Sequence, residues 1–313
     1  MKQSSRIDPQ YSGWSRIHLF LALSRTPHGL LDVCTPLLAA LLWLGRPPEM
    51  QIIVLGVIAA FAGYTAVYAL NDIIDYRTDK EKIRQAGFDR EARYLDGARV
   101  RHPLARGYLS MPEAVAWAGG WAVISFAAAY LLNPVCALIL VIGCLLETVY
   151  CLLLRISHLR TLVSGIVKTL GGIAAVFAVD ASPDPTLLLL LFFWLFLWEI
   201  GGQNVPADWH DIQEDTILKA RTIPVSFDPE AAGRIVLATL TLSLILNILL
   251  FYAVPLPFSM LHYPAAVIVG LYLLVIPAFR LLRTGNRDEA SALFNRASYY
   301  PCLLLILTMT ALI

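Results

Sequence analysis

Apolar residues fall along this chain in nine runs of 17–23 positions, separated by polar stretches. A helix needs about 20 apolar residues to cross roughly 30 Å of hydrocarbon. The runs at 28–45, 51–71, 112–131, 134–153, 162–179, 185–204, 232–254, 263–281 and 297–313 therefore read as membrane spans. The stretch from Arg16 to Ser24, preceded by Trp14, is too short to span and reads as a helix lying in the interface. No apolar segment precedes residue 17, so no signal peptide is expected. The pattern predicts an all-α polytopic membrane protein, one transmembrane domain over residues 1–313.

Composition agrees. Hydrophobic residues make up 58 % and charged residues 15 %, against about 45–50 % and about 25 % in soluble domains, and the mean hydropathy is +0.66. A soluble fold, a disordered chain, a coiled coil and a disulfide scaffold are excluded. The five cysteines all sit in apolar runs and read as buried thiols. A net charge of +1 supplies no field for nucleic acid.

Charge placement orients the chain. With nine spans, 21 of the 24 lysines and arginines fall on one side, and the opposite loops hold only Arg46. By the positive-inside rule the N-terminus is cytoplasmic and the C-terminus lies across the membrane, which in a prokaryote would be the cell membrane. Segments 1–27, 72–111 and 205–231 are then cytoplasmic, and the last two are the long loops where function is expected.

Both long loops open on acidic rows. Asn71, Asp75 and Asp79 are spaced i, i+4, i+8 on one helical face, with Asp72 one step round. Asn204, Asp208, Asp211 and Asp215 form a second row with offsets 0, 4, 7 and 11, in which Pro206 should kink or restart the helix. Clustered aspartates repel one another and need compensation. A solvated acidic helix end is the plain reading of either row alone. Two rows at equivalent places point instead to Mg²⁺, which takes one or two carboxylates plus phosphate oxygens. Cations follow each row. Arg101, Arg106, Lys219 and Arg221, each near a Pro or Gly turn, are the phosphate-clamp candidates, although the positive-inside rule alone accounts for most such charges.

Asn71-Asp72-x-x-Asp75-x-x-x-Asp79 resembles the N-D-x-x-D-x-x-x-D motif of the UbiA superfamily of intramembrane prenyltransferases. His102-Pro-Leu-Ala-Arg-Gly-Tyr-Leu-Ser110 resembles its R-P-L-x-x-G-x-[IL]-S, with His102 in place of Arg, so that Arg101 is left for that work. The second acidic row and Thr222-Ile-Pro224 resemble its D-x-x-x-D segment and T-L-P. Tyr150 to Arg155 resembles Y-x-x-x-K-R, but Leu154 replaces the Lys, which weakens assignment to the 4-hydroxybenzoate branch.

The resemblance implies nine helices, two four-helix halves plus one, around a cavity open to the cytoplasm. It implies two Mg²⁺ ions on the acidic rows and transfer of a prenyl group from an isoprenyl diphosphate to an aromatic, quinone-precursor or lipid acceptor within the bilayer. A terpene cyclase of the same superfamily is the first alternative, and a divalent-cation transporter a more distant one. Tyr64, Tyr68, Tyr150 and Arg155 are further substrate-side candidates. Among ionisable residues inside spans, Asp32 and Glu147 are candidate acceptor or proton-accepting groups, and Lys168 is expected to pair with Glu199.

Overall fold

The computed structural model describes residues 15–86 and 100–312, and every regular element among them is helical. Trp14 and residues 87–99, Arg99 among them, lie outside the described residues. Eight helices are long and apolar enough to cross a membrane. The first, Thr26–Leu44, is interrupted at Val33, so it comprises α2 (Thr26–Asp32) and α3 (Cys34–Leu44). Then come α4 (Met50–Ile74), α6 (Met111–Leu132), α7 (Pro134–Leu152) and α8 (Arg160–Val179), with α5 (Tyr76–Ala86) after the first acidic motif.

The sixth span starts as α9 (Pro185–Glu199), passes through a π-helical turn at Ile200–Asn204, and ends as α10 (Val205–His210). Pro206 stands in the first turn of α10, where its missing N–H costs nothing, so the expected restart is seen. Short helices α11 (Ile212–Ile217) and α12 (Ile223–Ser226) lead into α13 (Pro229–Ala253). The eighth span, His262–Thr284, is α14 (His262–Gly270) and α15 (Ile276–Thr284) joined by a second π turn.

The last expected span, 297–313, begins ten residues earlier, in α16 (Arg287–Thr310). Its first half carries Arg287, Asp288, Glu289 and Arg296, so it is not among the eight apolar helices. Tertiary bonds hold that half in place: Trp198 Nε1 donates to the Ala297 carbonyl at 3.1 Å, Gln203 Nε2 to Ser298 Oγ at 3.2 Å, and His210 Nδ1 meets Ser291 Oγ at 2.7 Å. Expected interfacial residues fall in α1 (Ser15–Leu23), but the helix is docked on the protein. Leu19 and Leu23 are fully buried against Leu104, Leu109 and Ala69.

Polar caps set the helix starts. Asn133, Asp184 and Asp228 accept from Val135, Leu187 and Ala231 N–H groups at 2.8–2.9 Å. The core lies where α3, α8, α9, α13 and α16 meet, around Trp194, Trp198 and Tyr300. Gly201 lets the π turn press on α13: a Cβ there would lie 2.3 Å from Thr239 Oγ1 and 3.1 Å from the Val236 carbonyl. Large side chains such as Leu131, Val123 and Leu145 remain exposed on the outer surface, as lipid-facing positions should.

Candidate active site

One cavity of about 340 Å³ runs through the fold and collects both acidic rows. Its walls reach from Asp79 and Asp215 at one end to Ile52, Leu132 and Val179 at the other. Ile52 and Asp72 are twenty residues apart on α4, about 30 Å at 1.5 Å per residue, so the cavity follows most of the helix length. Its deeper part is apolar, with Gly56, Ala59, Ala60 and Gly63 on α4 facing Ala174, Ala175 and Ala178 on α8.

The first row is not one uninterrupted helix. α4 ends at Ile74 and α5 begins at Tyr76, with Asp75 as the hinge residue. Helical hydrogen bonds still run through it, from Asp75 N to Asn71 O at 2.9 Å and from Asp79 N to Asp75 O at 2.8 Å, which keeps the three side chains on one face. An arginine and a histidine reach this row from strained backbone. Arg25 (φ 45°) lies between α1 and α2, and His102 (φ 50°) starts the post-motif loop. A left-handed non-glycine residue costs about 1–2 kcal/mol, and such strain gathers at functional sites. Arg25 donates to Asn71 Oδ1 at 3.0 Å and lies 3.4 Å from Asp72. His102 Nδ1 is 2.9 Å from Asp79, and Asp72, Asp79 and His102 present ligand atoms within 4.8 Å of one another.

The second row is tied across to the first. Lys82 on α5 lies 3.2 Å from Asp215 and 3.8 Å from Asp211. Arg101 pairs with Asp211 and lies 3.5 Å from Glu214. Arg160, at the start of α8, pairs with Asp208 at 3.1 Å and lays its guanidinium 3.9 Å over the Tyr150 ring. Asn204 Nδ2 donates to the Tyr150 hydroxyl at 3.0 Å, and Asn71 Nδ2 donates to Glu147 at 2.7 Å.

The charges respond to this crowding. Burial and the neighbouring Asp79 push the Asp75 carboxyl up to about 6. Burial also disfavours the charge on Asp79 and Asp211, but His102 holds the first, and Arg101 and Lys82 the second, below the usual carboxylate range. Four buried oxygens of the second row, Asn204 Oδ1, Asp208 Oδ2, Asp211 Oδ1 and Asp215 Oδ1, have no hydrogen-bond partner among the described residues, although Lys82 lies 3.2 Å from the last. Buried orphaned oxygens are costly, and hard oxygen atoms are what Mg²⁺ takes as ligands. The donor set therefore fits a divalent cation.

All eight expected metal-row residues line the cavity, with Arg101, Tyr68, Tyr150 and Glu147. Asp32 sits behind the wall, bonded to Lys168 at 2.6 Å and to Tyr68 at 2.5 Å. That corrects the expected Lys168–Glu199 pair: Asp32 takes the ammonium, and Glu199 accepts from Ser164 at 3.1 Å. Four expected phosphate contacts are not among the lining residues: Arg106, Lys219, Arg221 and Arg155. Arg155 forms an exposed pair with Glu81 at 2.6 Å, because the turn after α7 carries it outward. Lys219 and Arg221 are exposed beyond α11, where Arg221 N donates to the Leu154 carbonyl at 2.7 Å. Arg25 and Arg160 line the cavity instead. Each stands at the end of an apolar run, where the positive-inside rule alone would put an arginine, so only the fold distinguishes them.

Curated relatives include a 4-hydroxybenzoate octaprenyltransferase from Coxiella burnetii, 30 % identical over 176 residues. That alignment covers 56 % of this chain and 56 % of the relative, so this chain spans little more than half the relative's length. A protein of the same name from Photobacterium profundum is 27 % identical over 230 residues, covering 72 % and 75 %. Among solved structures, the apo form of a UbiA homolog from Aeropyrum pernix superposes with TM-score 0.72 at 21 % identity, covering 91 % of this chain and 98 % of that one. A UbiA homolog from Archaeoglobus fulgidus bound to GPP and Mg²⁺ gives 0.65 at 17 % identity, covering 94 % and 99 %. The two acidic motifs face each other across one cavity, and the pattern of the UbiA prenyltransferase family matches residues 33–299; the chain belongs to that family.

Proposed function

We propose that this protein transfers a prenyl group from an isoprenyl diphosphate to an aromatic, quinone-precursor or lipid acceptor inside the membrane, with Mg²⁺ on the two acidic rows. The observation that carries this reading is the convergence of Asp72, Asp75 and Asp79 with Asp208, Asp211 and Asp215 at one end of a cavity whose far end is apolar. Bound there, Mg²⁺ would neutralise the diphosphate and make it a leaving group. Arg25, Lys82, Arg101 and Arg160 stand close enough to these carboxylates to turn to phosphate oxygens. The apolar channel beyond them would hold the prenyl chain and keep water from the allylic cation, with Tyr68 and Tyr150 facing it. Glu147, bonded to Asn71 beside the first row, is placed to accept the proton the acceptor loses. The relatives' printed names and the GPP- and Mg²⁺-bound neighbour support this reading. A terpene cyclase would use the same rows, and formation of product from the donor alone would identify it.

The deciding experiment supplies purified protein in detergent with geranyl, farnesyl or geranylgeranyl diphosphate, with and without acceptors, and follows products by mass spectrometry. EDTA is expected to reduce turnover by at least about 10²-fold, as loss of several kcal/mol of charge stabilisation requires. Mg²⁺ in excess should restore it. Turnover that persists at full rate in EDTA would overturn the metal-dependent reading.

The same reading places the rows, and the two long loops, on the cytoplasmic side, with nine crossings once α16 is counted. In a cysteine-free background, a cysteine at exposed Gln213 is expected to react with an impermeant maleimide only from the cytoplasmic side. One at Met260, exposed between α13 and α14, should react only from the other side. The reverse labelling would invert the topology.

A further inference from the structure

Two turns below the acidic rows, four helices place a second set of polar groups at one depth. Tyr64 lies eight residues before Asp72, Lys168 eight after Arg160, Glu199 nine before Asp208 and Asp32 seven after Arg25. At 1.5 Å per residue each lies about 10–14 Å from the diphosphate end of its own helix. Tyr64, Tyr68, Lys168 and Glu199 line the cavity. Of the other polar groups at this depth and below, Ser125 and Cys136 are taken up by the Ala59 and Ala174 carbonyls, so this belt is the place where a polar ligand group would be recognised.

Two of its atoms are orphaned. Glu199 is only 6 % exposed, and its Oε2 has no hydrogen-bond partner among the described residues. The buried Tyr64 hydroxyl has none either. Gly171 opposite leaves that hydroxyl room, since a Cβ there would lie 2.6 Å from it. Buried polar atoms are normally paired, and each exception calls for a cause. A hydroxyl both donates and accepts, so an acceptor bearing hydroxyl groups could satisfy both atoms.

Charge decides the class of acceptor. Lys168 is the belt's lysine or arginine, and Asp32 holds its ammonium at 2.6 Å. Glu199 adds no positive charge in either protonation state. Nearer the mouth, Arg25 and Arg160 face Asp72 and Asp208. A carboxylate entering the belt would have to compete with Asp32 for the one ammonium there, so its desolvation would be only partly offset, which is costly.

Resting on the prenyl-transfer reading above, we infer that Tyr64 and Glu199 bind the acceptor, and that the acceptor is a neutral, hydroxyl-bearing ring rather than an aromatic carboxylate. The test supplies wild-type protein, Mg²⁺ and geranylgeranyl diphosphate with hydroquinone or naphthalene-1,4-diol on one side and 4-hydroxybenzoate on the other. Pyrophosphate release and prenylated product are both measured. The neutral diols should be used at least tenfold more efficiently. Tyr64→Phe should raise the acceptor KM about three- to tenfold and Glu199→Gln about tenfold or more, as loss of a neutral and of a charge-assisted hydrogen bond implies. The donor KM should not change. Preference for 4-hydroxybenzoate, or an unchanged acceptor KM in both variants, overturns the inference while leaving the donor chemistry intact. Pyrophosphate released with product from the donor alone also overturns it. No pyrophosphate release with any donor removes the prenyl-transfer reading itself, and the inference with it.

Discussion

Replacing Asp75 or Asp208 is expected to lower turnover by about 10³-fold or more while the protein still folds, a loss of about 4 kcal/mol of transition-state stabilisation. Asp75 makes the sharper case. Burial and Asp79 push its carboxyl up to about 6, so the fold without a bound cation disfavours its charge. The sign follows: an acid whose pKa is raised on folding removes stability as pH rises from its ordinary value through about 6, and that loss persists above. Asp75→Asn should therefore match or exceed the wild type in thermal stability at pH 7 and yet lack activity. A carboxylate kept against the interest of the fold is the signature of a group kept for a ligand. Asp208 differs, because Arg160 depends on it at 3.1 Å. Asp208→Asn keeps the shape and a hydrogen-bond acceptor, and is the variant to compare with Asp208→Ala. Elution as a folded protein with activity near wild type, for either residue, would end the two-row model.

Arg160→Ala should cost about 10²-fold in kcat/KM for the diphosphate donor. Its guanidinium touches Asp208 and lies over Tyr150, so it links the second row to the wall where Leu154 stands in place of the family's lysine. Removing one member of a buried pair also costs about 3–5 kcal/mol of stability. Arg160→Lys separates the two effects. It keeps the charge but loses the flat fork that stacks and binds phosphate at two points, so it should fold and recover only part of the activity. Arg155→Ala is the control. Its pair with Glu81 is exposed, outside the cavity, where water and salt screen it. Little change is expected in its kinetics. Equal losses from Arg155 and Arg160 would contradict the site as described.

Some of this molecule was legible as a string of letters. Spans are read from runs of apolar residues because bilayer thickness imposes one length on every crossing. The acidic rows are read from spacing because helical periodicity carries residues four apart onto one face. Pro206 announced the restart of its helix because a proline removes a donor wherever it stands. These are local rules, and local sequence obeys them.

Other features depended on which helices meet. Arg25, Arg160 and Arg155 look alike in sequence, since each is a cation at the edge of an apolar run. Only packing turns the first two into the cavity and sends the third outward. Lys168 found Asp32 rather than Glu199 because α2 delivers a carboxylate to within 2.6 Å of it, and no spacing rule connects residues 136 positions apart. The start of α16 has a related reason: besides its local bonds, its polar first half is held by Trp198, Gln203 and His210 on the sixth span, partners that no pattern along the chain reveals. Pattern along the chain thus determined the helical class, the places of eight apolar spans and the acidic rows at two of their ends. The tertiary structure decided which charges share a cavity, because electrostatic partners are chosen by distance in space, and burial makes those distances decisive.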